Sequence, residues 1–165
     1  MPIEMKVAGL VVGGMGNVPL LVLKDEAERY CVPIVIGLPE ARAIIAELQQ
    51  ENFPRPMTHD LLKSIIEALG CRVDRVVVTD LKEDTFFATL HVRAGEETHL
   101  LDSRPSDAIA LALRAKAPIF VEERVIEKLG TQEGRGLPVF TDDEKDKWAE
   151  ILENLDPEDF GKYKM

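Results

Sequence analysis

The segment that most constrains this chain is SRPSDAIALALRAKA, residues 103–117. Its helical pattern is apolar on nearly every side, which predicts a helix buried at the centre of the fold. The flanking sequence supplies elements to enclose it. MKVAGLVV and PLLVLKD are β-rich runs joined by the glycine-rich GGMGNV, and YCVPIVIG reads as a third strand, apolar enough to be covered on both faces. A helix follows from about Leu38, with Ala41, Ile44, Ile45 and Leu48 on one stripe. RVDRVVVTDL and TFFATLHVR alternate as strands joined through KED, and ETHLLD follows after AGE, an antiparallel meander. PIFV is a short strand and EERVIEKLG a helix ended by Gly130. These elements predict an α+β fold: a mixed, largely antiparallel sheet with a central buried helix and covering helices, in a single compact domain over residues 1–130. Residues 131–165 read as the linker TQEGRGLP and an acidic amphipathic helix, opened by a capping box of Thr141 and Glu144, with Trp148, Ile151, Leu152 and Leu155 on its stripe.

With 165 residues, 45% of them hydrophobic, the chain is long enough for one full core and too short for two comfortable ones. The net charge is −10, and its distribution is uneven. Residues 1–121 hold 17 acidic and 13 basic groups, whereas residues 122–165 hold 13 and 7. Tight nonspecific coating of nucleic acid is therefore disfavoured. No membrane span is expected, and the opening MPIEMKVAGL has an acidic residue where a signal peptide carries basic ones, so a cytoplasmic protein is expected. Cys31 and Cys71 lack a CxxC partner and read as plain thiols. A strand follows GGMGNV, without GxxxxGK[ST] or GxGxxG spacing, which argues against a phosphate loop.

Two stretches echo each other: FPRPMTHDLLKSII at 53–66 and DSRPSDAIALALR at 102–114. In the first, prolines flank Arg55, Thr58 is the expected N-cap, Asp60 suits the positive helix end, and Leu61, Leu62, Ile65, Ile66 and Leu69 form a stripe closed by Gly70. Capping requires neither Arg55 nor His59. In the second, Asp102 and Asp107 straddle a strand-to-helix turn and are candidates to share a divalent ion, magnesium or manganese, with Arg104 placed for a phosphate oxygen and Ser106 beside it. EARAI at 40–44 and DAIAL at 107–111 suggest a faint internal repeat. His91 and His99 lie on neighbouring strands; a three-residue Ala94–Glu96 loop pairs them, and a two-residue Gly95–Glu96 loop puts them on opposite faces. No nucleophile elbow or HExxH is present.

On GL at 9–10, VPIVIG at 32–37, EA at 40–41, RPMTHDLL at 55–62, LG at 69–70, DSRPSDAIALALR at 102–114 and the APIFV after it, the chain resembles the bifunctional nuclease domain family over roughly residues 5–130. The resemblance implies hydrolysis of both DNA and RNA by a wedge-shaped homodimer with a groove. Within it, the residues suggest these roles: His59 and Asp60 for proton transfer, Asp102 and Asp107 as catalytic carboxylates holding a metal, and Arg55, Thr58, Arg104 and Ser106 on the substrate. The alternative is a non-catalytic dimeric domain that binds a small anion, a nucleotide or a protein, which the acidic balance and the lack of a stacking surface favour.

Overall fold

Two three-stranded antiparallel meanders are joined through one short strand between them. The computed structural model describes residues 1–12 and 18–130; the expected linker and C-terminal helix, 131–165, lie outside them. The first meander is β1 (Ile3–Val12), β2 (Pro19–Lys24) and β3 (Cys31–Val35); the second is β4 (Cys71–Lys82), β5 (Thr85–Ala94) and β6 (Glu97–Ser103). Between the meanders come α1 (Leu38–Leu48) and α2 (Thr58–Ala68), and after them α3 (Pro105–Ala115), β7 (Ile119–Val121) and α4 (Glu123–Gly130). The strand order is β3-β2-β1-β7-β4-β5-β6. β7 pairs antiparallel with β1 and parallel with β4, making one mixed, largely antiparallel sheet in an α+β fold.

This order explains why the apolar helix is central. The chain must return from the edge strand β6 to β7 in the middle of the sheet, and β6 and β7 run parallel, so a crossover is required. α3 is that crossover. It passes over β5 and β4 and packs against α1 and α2. Ala108, Ile109, Ala110, Leu111 and Ala112 are all buried, and the small alanines admit close approach from several sides at once. Leu21, Leu23, Ile44, Val76 and Val78 complete the core.

Three local expectations change, and one open alternative is decided. β3 is an edge strand, not covered on both faces, and Val35 is 66% exposed. The α2 stripe is largely open to solvent: Leu61, Leu62, Ile65 and Leu69 are exposed, and His59 is the helix's buried residue. Met57, not Thr58, is the N-cap of α2; the Asp60 carboxylate accepts the Met57 backbone N–H, so a hydroxyl cap is not needed. The β5–β6 loop is the two-residue Gly95–Glu96, with Gly95 at φ 65°, so His91 stands opposite Leu100 and His99 opposite Val92. The two histidines therefore face opposite ways.

α3 ends on Lys116 in the left-handed conformation, φ 54°, where a β-carbon is crowded. Lys116→Gly is expected to raise stability by about 0.5–1 kcal/mol, read as a higher midpoint in urea with an unchanged slope.

Candidate functional site

The two Arg-Pro motifs meet at the mouths of three helices. α1, α2 and α3 each carry a carboxylate in the first turn, Glu40, Asp60 and Asp107, where unsatisfied backbone N–H groups and the helix dipole favour negative charge. Each carboxylate is paired with a cationic or imidazole side chain from another segment or the adjoining turn. Arg104, just before α3, donates from Nε to Asp107 at 2.8 Å and from Nη1 to Glu40 at 2.9 Å. His59 in α2 brings Nε2 within 3.0 Å of the other Asp107 oxygen. Arg114, near the end of α3, donates from Nε to Asp60 at 2.8 Å, and its two Nη groups donate to the carbonyls of Ala110 and Ala43.

The electrostatics follow from these bonds. Burial by itself would raise the Asp107 carboxyl, but the hydrogen bonds from Arg104 and His59 outweigh it and hold the group below the usual carboxylate range. For Asp60, burial is likewise outweighed, by the Met57 N–H and by Arg114. Arg104 is raised, chiefly by its bond to Asp107. Since an ionised Asp107 only accepts, the geometry assigns the proton of a neutral His59 to Nε2. Nδ1, without a hydrogen-bond partner among the described residues, is left as the acceptor.

Beside this cluster is a cavity of about 740 Å³, with apolar lining that includes Ile34, Ile36, Leu81 and Phe86 and polar lining that includes Glu40, Arg104 and Ser106. Ser106 is buried there. Arg55 and Thr58 are exposed at the start of α2, and Arg55 has no ion-pair partner among the described residues. Asp102 stands apart: it is exposed on β6, opposite Thr89.

No ready-made divalent-ion site is assembled among the described residues. Both oxygens of Asp107 and both of Asp60 are already engaged by donors. Among the described residues no group of three His, Cys, Asp or Glu side chains is placed to hold a metal. The sequence reading also missed two members of the cluster, Arg114 and Glu40. A signal for Arg114 was present, since an arginine inside a helix apolar on nearly every side has to be paired. For Glu40 the signal was its place in the EARAI echo of DAIAL, which puts both acidic residues in a first helical turn.

Fold and site together define an α+β domain whose paired helix mouths present a histidine–aspartate couple flanked by arginines. The chain belongs to the bifunctional nuclease domain family, whose model matches residues 21–134. Among its relatives, an uncharacterised protein of Mycobacterium tuberculosis is 38% identical over 163 residues, covering 95% of this chain and 97% of its own. Bifunctional nuclease 1 of Oryza sativa subsp. indica is 33% identical over 109 residues, 64% of this chain and 33% of its own. Bifunctional nuclease 2 of Arabidopsis thaliana is 29% identical over 118 residues, 66% of this chain and 36% of its own. The chain thus spans about a third of the length of these plant relatives.

Arg114→Ala strips Asp60 and the Ala43 carbonyl of a partner inside the helix cluster. It is expected to cost about 3 kcal/mol in chemical unfolding, with Arg114→Lys recovering only part because a single ammonium cannot reproduce the fork.

Proposed function

We propose that this chain hydrolyses phosphodiester bonds in DNA and RNA, with the His59–Asp107 couple as its proton-transfer device. The observation that supports the reading most is that couple itself: two motifs 48 residues apart fold so that a histidine ring and a carboxylate come within 3.0 Å. The plant relatives named as bifunctional nucleases add to it. In this reading Asp107 orients the ring and stabilises its charged form; Nδ1 takes a proton from the attacking water or hydroxyl as its oxygen bonds to phosphorus, the P–O bond opposite breaks, and the leaving oxygen is protonated by solvent. Arg55, exposed and without an ion-pair partner among the described residues, meets a phosphate oxygen, with the first turn of α2 and Thr58 beside it. Asp60 belongs to the clasp with Arg114 and carries no chemistry of its own. No step is routed through a divalent ion.

One observation favours the rival reading, a non-catalytic binding domain. Arg104 is shared between Glu40 and Asp107, so the cluster is largely neutralised from within and satisfied as a structural clasp. Single-turnover cleavage of DNA and RNA by variants separates the two. His59→Ala is expected to lower cleavage by about 10²-fold or more, while Asp102→Asn, outside the cluster, leaves it unchanged. Equal activity in wild type and His59→Ala, both folded by circular dichroism, would move the protein to the binding class. Loss in Asp102→Asn together with recovery on added magnesium or manganese would restore the carboxylates as ligands.

The homodimer belongs to the same proposal. Leu61, Leu62, Ile65 and Leu69 expose a connected apolar face on α2, more than scattered surface residues present. We assign this face to a second copy of the chain. Ile65→Asp is expected to convert a dimer to a monomer in light scattering; an unchanged mass would place the contact elsewhere.

A further inference from the structure

The cavity beside the cluster is long on apolar wall and short on polar groups. Leu20, Ile34, Val35, Leu81, Phe86 and Leu129 line it, and its polar residues are Glu40, Asp84, Thr85, Arg104 and Ser106. Arg104 there is already held by two carboxylates, which argues against a free anionic ligand as the natural occupant. The wall as a whole asks for apolar side chains.

The chain carries a candidate of its own. Leu129 is part of the wall, and Gly130 is the last residue of α4, so the tail departs from the rim of the cavity. The tail, residues 131–165, places Trp148, Ile151, Leu152 and Leu155 at helical spacing in an otherwise acidic segment. Eighteen residues lead from Gly130 to Trp148, a reach on the order of 60 Å when extended, so tether length imposes no restriction. In the M. tuberculosis relative the similarity extends over 163 residues and so includes most of the tail. The tail therefore accompanies the body in another protein and is not an unrelated appendage.

We propose that the tail of this chain packs its apolar stripe, led by Trp148, into the cavity lined by β3, the β4–β5 turn and the end of α4. The inference does not depend on the nuclease reading.

Trp148 is the chain's sole tryptophan, so intrinsic fluorescence of the full-length protein reads its environment directly. The expected result is a blue-shifted emission, weakly quenched by acrylamide and independent of protein concentration. Val35→Asp alters the cavity wall at a residue already 66% exposed, so the body should fold. Leu152→Asp alters the tail alone. Each is expected to shift the emission to the red and raise quenching severalfold, with the circular dichroism of the body retained. A water-like Trp148 in wild type overturns the proposal, as does a shielded Trp148 indifferent to Val35→Asp. Shielding lost on dilution overturns it too, by giving the cavity to a second copy's tail.

Discussion

The structure depends on how one buried guanidinium is satisfied. Arg114 lies within the most enclosed helix of the fold, where an unpaired charge is prohibitively costly. Its partners are a carboxylate of α2, a carbonyl of α1 and a carbonyl of its own helix. Satisfying it therefore ties the three helices to one another. At the opposite end of α3, Arg104 does the same for the first turns of α1 and α3. His59 stands within reach of Asp107 on an α2 whose first turn Arg114 ties to α3 through Asp60.

Fold and site thus share one network, which bears on the chemistry. Three helices begin with a carboxylate, and the network binds them with two arginines and a histidine. The result is a hydrogen-bonded His59–Asp107 couple, with Arg55 outside it and without an ion-pair partner among the described residues. The sheet topology is as important. The return from edge strand to central strand obliges α3 to cross the sheet, and the carboxyl end of β6 feeding that crossover is where Arg104 and Asp107 stand.

Much of the architecture was legible because it rests on local periodicity. The strands of both meanders and all four described helices follow their hydrophobic patterns, since alternation and helical spacing are properties of neighbouring residues. The departures have a common cause. β3 is apolar yet lies at an edge, and the α2 stripe is apolar yet exposed, because periodicity says which face is apolar and not what covers it. Likewise Thr58 was a sound N-cap by residue type, but the reach of Asp60 to the Met57 N–H moved the cap by one position.

For the site, the sequence by itself singled out Arg55, His59, Asp102 and Arg104 as the residues that helix-starting rules do not require. It also showed that two motifs of one design recur. Tertiary structure alone decided which of them meet. It joined His59 to Asp107, brought in Glu40 and Arg114, and left Asp102 on the open strand, because those distances depend on the crossover of α3 and not on spacing along the chain. Residue type sets what a side chain can do, and topology sets what it can do it with.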